Sequence, residues 1–85
     1  MKLDLISKDE FNRLDIFDKD DYLNENGTWV SFRKYYGYSI NLYAVSGFFV
    51  EVWLFEDLTI HKIEPIYEEK ILNHYLRRIK IEDMF

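Results

Sequence analysis

At 85 residues and 10.5 kDa the chain has room for one small core, which excludes a two-domain arrangement. An apolar fraction of 48%, a charged fraction of 32%, one Pro and three Gly exclude a disordered tail, and the absence of cysteine excludes a disulfide framework, a Cys-based zinc site and a thiol nucleophile. The net charge of −5 argues against a nucleic-acid partner, because phosphate contacts need a cationic surface.

The acidity is concentrated: residues 1–26 carry a balance of −4, residues 27–63 are neutral, and residues 64–85 contribute −1. No window of about eighteen apolar residues is present, and Met1 to Ile6 lacks the long apolar region of a signal peptide, so no membrane partner is expected. A cytoplasmic location fits the cysteine-free composition. Aromatic residues make up 19%, more than so short a chain needs for its interior when each ring buries roughly 150–250 Å². Some rings are therefore expected at the surface.

Ser7-Lys8-Asp9-Glu10 has the form of a capping box, with Phe11 and Leu14 following at helical spacing, and predicts a short helix from about Lys8. Asp18-Lys19-Asp20-Asp21 predicts a second, with Asp18 as N-cap and Asn26-Gly27 as its stop. Residues 28–63 switch to period two, rich in Val, Ile, Phe, Tyr and Trp, with breaks at Gly37, Ser46-Gly47 and Glu56-Asp57. Pro65 suits a first helical position, and Tyr67, Ile71, Leu72, Tyr75, Leu76 and Ile79 form an apolar stripe. The predicted class is α+β: short N-terminal helices over 7–26, an antiparallel three- to four-stranded meander over 28–63, a helix over 65–78 packed on the sheet, and a tail over 79–85.

Register follows from which pairing separates apolar from polar side chains. A two-residue Ser46-Gly47 turn would set Leu42 beside Glu51 and Asn41 beside Val52, mixing both faces. A three-residue loop, Val45-Ser46-Gly47, pairs Leu42 with Val50, Ile40 with Val52 and Tyr38 with Leu54 instead, and Tyr35-Tyr36-Gly37 likewise pairs Phe32 with Ile40 and Val30 with Leu42. One face becomes wholly apolar. A three-residue loop at Phe55-Glu56-Asp57 would add Leu58 and Ile60 to it.

The opposite face then carries Trp29, Tyr43 and Phe49 in one row and Arg33, Asn41, Glu51 and Trp53 in the neighbouring rows. Aromatic anchors beside orienting polar groups have the composition of an interaction surface. Helices on both faces would make these rings a second core; helices on one face alone would leave a patch for another protein or for a second copy in a homodimer. The leading expectation is a non-catalytic protein-interaction module that self-associates through this face. A second is an acidic inhibitor or immunity-type protein, whose Asp9, Glu10, Asp15, Asp18, Asp20 and Asp21 occupy a basic site on a partner.

Catalysis has thin support, since there are two His and no Gly-x-Ser-x-Gly elbow. His61 could face Glu51 across the sheet, an acid/base pair in principle, but a surface cross-strand ion pair is the favoured account of that pairing. Asp15, Asp18, Asp20 and Asp21 invite a calcium reading, yet an EF-hand loop with Gly27 sixth would start at Tyr22 and end at Arg33, without its first ligand or bidentate Glu. No cofactor and no metal are expected.

Overall fold

In the computed structural model, which describes residues 6–75, Ser7 caps a five-residue helix, α1 (Lys8–Asn12), by the expected reciprocal pair. The Glu10 N–H donates to Ser7 Oγ (3.1 Å) and the Ser7 N–H to Glu10 Oε1 (2.8 Å). The second helix, α2 (Ile16–Asn26), starts earlier than predicted: its N-cap is Asp15, which accepts from the Asp18 N–H at 2.8 Å. Asp18 lies in the first turn, where its charge complements the helix dipole. At Gly27 the helix stops in extended backbone, and a Cβ there would come within 2.9 Å of the Leu23 carbonyl oxygen. Glycine is needed for that close approach and not for a left-handed turn.

Four strands follow, β1 (Thr28–Tyr35), β2 (Tyr38–Val45), β3 (Phe48–Leu54) and β4 (Ile60–Pro65), in the order β1-β2-β3-β4 as an antiparallel meander. The α+β class and the meander are as predicted; the register is not. Val45 pairs with Phe48 and Tyr35 with Tyr38, so both hairpins close with two-residue turns, and Leu42 lies opposite Glu51 and Asn41 opposite Val52. This is the pairing that the separation of polar from apolar side chains disfavoured. The third loop spans 55–59, with Leu54 paired to Ile60 and Val52 to Ile63.

Both faces are covered, which removes the need for one dry face and one wet face. On one face α1 and α2 pack Phe11 and Leu23 against Val45, Phe48, Val50, Val52 and Ile63. Phe11 is fully buried, its ring 5.8 Å from both Tyr22 and Phe48. On the other face Leu42 packs with Ile66 and Tyr75, flanked by Phe49, Ile71 and Leu72. The predicted C-terminal helix is present but starts later than 65 in its described part: β4 runs to Pro65, a 3-10 helix covers Glu69–Leu72, and residues 73–75 are α-helical. Pro65 pairs with Val50 on an edge strand, where its missing N–H is tolerated. Leu76, Ile79 and the predicted tail over 79–85 lie outside the described residues.

The two candidate caps of α2 are separable by mutation. Asp15→Ala is expected to cost about 1 kcal/mol and Asp18→Ala about 0.3 kcal/mol, read from urea denaturation midpoints; a larger loss for Asp18→Ala than for Asp15→Ala would return the cap to Asp18.

Candidate functional site

The observed register divides the seven predicted interface residues between the two faces. Trp29, Asn41 and Tyr43 lie on the side of the N-terminal helices, whereas Arg33, Phe49, Glu51 and Trp53 lie on the other. Trp29, half exposed near the start of the edge strand β1, donates from Nε1 to Asn41 Oδ1 at 3.0 Å. Tyr43 packs against the Phe11 cluster and Phe49 against the Leu42 cluster. No continuous aromatic face forms from this set, because each side of the sheet has its own covering layer.

Glu51 is buried, at 4% exposure, and it is answered from two directions. Arg33 reaches across β2 and donates to Glu51 Oε2 from Nε (3.1 Å) and Nη2 (3.0 Å), while the Tyr75 hydroxyl donates to the same oxygen. Arg33 Nε also reaches Tyr75 Oη at 3.2 Å, and the guanidinium lies over the rings of Trp53 and Tyr75. Burial first, then the bond to Glu51 and its charge, raises the Tyr75 pKa well above the usual tyrosine value. Burial works against the charge on Arg33, but the bond to Tyr75 and the attraction of Glu51 outweigh it and raise its pKa.

One oxygen of Glu51 takes donors from β1 and from the closing segment, so the trio works as a clasp. It is not poised for acid/base chemistry with His61, since Glu51 pairs across the sheet with Glu64 and His61 stacks elsewhere, on Tyr38.

A run of neighbouring rings gathers instead at one end of the sheet, where the β1–β2 turn and the 55–59 loop lie side by side, apart from the exposed Phe17, Trp29 and Tyr67. Rings run from Tyr36 to Tyr35 (4.7 Å between centroids), Tyr35 to Trp53 (5.9 Å), Trp53 to Tyr38 (5.3 Å) and Tyr38 to Phe55 (5.9 Å). His61 stacks on Tyr38 at 5.1 Å and tilts against Phe55 at 4.7 Å. Tyr36 is 89% exposed and Leu58 67%, and both occupy left-handed backbone, with φ 53° and 71°. Large apolar side chains thus stand bare at positions that favour glycine, a combination that neither packing nor backbone preference explains.

The 55–59 loop is held in shape. The Phe55 N–H donates to the Thr59 carbonyl (2.9 Å) and the Leu58 N–H to that of Phe55 (2.8 Å). Thr59 donates to Asp57 Oδ1 from its N–H (3.0 Å) and hydroxyl (2.7 Å), holding that carboxyl below its usual range. The sequence pattern assigns Tyr35, Tyr36, Tyr38, Phe55 and Leu58 to loops and to the apolar face and not to the candidate site. A signal was present: Tyr-Tyr-Gly-Tyr occupies a hairpin turn where Asn, Asp and Gly are usual.

Among the described residues no group of His, Asp and Glu is arranged to hold a metal ion, and no helix is long and apolar enough to cross a membrane. No family model, no curated protein and no solved structure matches the chain.

The clasp makes stability depend on alkaline pH. The folded state keeps the Tyr75 proton above the pH at which the unfolded chain releases it. The Tyr75 contribution to the unfolding free energy is therefore expected to be fully present below about pH 10, the ordinary tyrosine value, and to be lost as pH rises beyond it. Tyr75→Phe should flatten part of that fall and cost about 1.5–3 kcal/mol at neutral pH, measured by urea denaturation across the pH range; an unchanged alkaline slope would remove the clasp from the account.

Proposed function

We propose that the protein is a non-catalytic interaction module that docks a basic segment of a partner protein on the aromatic end of its sheet. The observation that carries this reading is the pair of bare side chains, Tyr36 and Leu58, held in left-handed backbone beside a continuous run of rings. Exposed rings on a rigid frame are efficient anchors, because they bury large area with few rotatable bonds to order. The site has moved from the sheet face expected from sequence to the sheet end, with Trp53 the one anchor common to both.

Charge selects the class of partner. Glu56 and Asp57 stand at this end, make no ion pair among the described residues, and belong to a chain of net charge −5. A two-fold contact through the same end would set these carboxylates against their own copies, whereas a basic segment would be steered toward them. The carboxylates at this end are Glu56 and Asp57, distinct from the N-terminal set Asp9, Glu10, Asp15, Asp18, Asp20 and Asp21, which lies on α1, α2 and their caps.

The test is selection of a displayed random-peptide library on the wild type and on the double variant Tyr36→Gly/Leu58→Gly. Because both positions favour glycine, the variant should keep its stability within about 1 kcal/mol. Wild type is expected to enrich ligands rich in Lys and Arg, and the variant to bind them at least tenfold more weakly. Failure to enrich any ligand, or equal binding by the variant, would overturn the proposal. So would a dimer seen by light scattering that the double substitution dissolves, since the surface would then serve self-association.

A further inference from the structure

The cleft between the two loop tips is lined by Gly37, Tyr38, Phe55, Glu56 and Asp57 and has a volume of about 620 Å³. Resting on the interaction reading above, we infer that this cleft is a receptor for one arginine or lysine side chain of the partner, with the rings taking the cation's face and the two carboxylates its N–H groups. A guanidinium or ammonium group is the chemistry that uses both kinds of wall at once.

Three observations support the assignment. Glu56 is folded back over the β1–β2 turn, so that a Cβ on Gly37 would lie 3.2 Å from its Oε2. The left-handed residue of that turn is Tyr36, so the glycine does not supply the positive φ; it leaves room for the carboxylate. Both Thr59 bonds to Asp57 end on Oδ1, which fixes the side chain while Oδ2 takes neither.

The third is where the protein's own cations stop. Lys62 Nζ stands 4.4 Å above the Trp53 ring and the Arg33 guanidinium 5.6 Å from it, which satisfies the inner part of the aromatic run. Among the described residues no Lys or Arg stands over Tyr38 or Phe55, the two rings that border the unpaired carboxylates. The outer part of the run thus has the walls of a cation site and, among the described residues, no Lys or Arg of its own, with His61 packed on Tyr38 and Phe55 from the β4 side.

The experiment is a nitrogen-15 NMR titration of the whole protein with N-acetylarginine amide and with its neutral counterpart N-acetylcitrulline amide, at constant ionic strength. Saturable shifts confined to Gly37, Tyr38 and residues 55–59 are expected, with a dissociation constant on the order of millimolar for the arginine compound. The citrulline compound should bind at least tenfold more weakly, since it has the same length and no charge. Glu56→Gln and Asp57→Asn, the latter keeping an acceptor for Thr59, should each weaken arginine binding roughly two- to fivefold. Equal binding of the citrulline compound, shifts centred elsewhere, or no saturation would overturn the receptor. If selected peptides still engage the aromatic end while the arginine compound leaves the cleft unmoved, the receptor falls and the interaction module stands; if neither binds, both fall.

Discussion

A carboxylate in the middle of a sheet face has to be answered by donors before apolar side chains can close around it, and Glu51 is that group here. An uncompensated buried charge costs several kcal/mol, so the native arrangement requires Arg33 from β1 and Tyr75 from the closing segment at one oxygen. Arg33 can arrive only if β1 and β3 flank β2 in the observed register, since it crosses the strand that carries Ile40 and Leu42. Slipping β3 by one residue would turn Glu51 to the opposite face, toward Phe11 and Phe48. Tyr75 in turn ties the segment after β4 to the sheet, and Ile66 and Leu72 pack there with it. One buried charge thus couples strand register to the covering of the second face.

Covering both faces has a consequence for the surplus of rings. With Phe11, Phe48 and Tyr75 interior, Tyr35, Tyr36, Tyr38, Trp53 and Phe55 collect at the end that holds the β1–β2 turn and the 55–59 loop, while Phe17, Trp29 and Tyr67 are exposed singly elsewhere. There the backbone is fixed by strand pairing on one side and by the Asp57–Thr59 bonds on the other. A surface of bare rings on a fixed backbone loses little conformational freedom when it binds, which favours recognition over a merely sticky patch. The acidic residues fall into two groups with different work. Asp15 and Glu10 are occupied as helix caps, while Glu56 and Asp57, the latter bonded to Thr59, make no ion pair among the described residues and stand beside the rings.

Local signals in the chain translated directly into local structure. The Ser7–Glu10 box, the helix ending at Asn26, the three breaks in the period-two stretch and the antiparallel meander all depend on interactions within a few residues or on side-chain alternation. The misplaced features all required distant partners. The Asp18 cap gave way to Asp15 because three further residues, beginning with Ile16 and Phe17, are helical, and Ile16 packs on the core. The closing helix starts at Glu69 and not at Pro65, since Pro65 pairs with Val50 and the Ile66 N–H with the Phe49 carbonyl.

By itself, then, the sequence determined the class, the order of elements, the α1 cap and the presence of more rings than the core could hold, because composition and short-range periodicity carry that information. Only the tertiary structure decided which rings are bare. A two-residue turn and a three-residue loop differ by one step of register, and that step exchanges the faces of every following side chain. The choice between them lay with a salt bridge spanning 18 residues and a hydroxyl 24 residues beyond Glu51, contacts that no local pattern encodes.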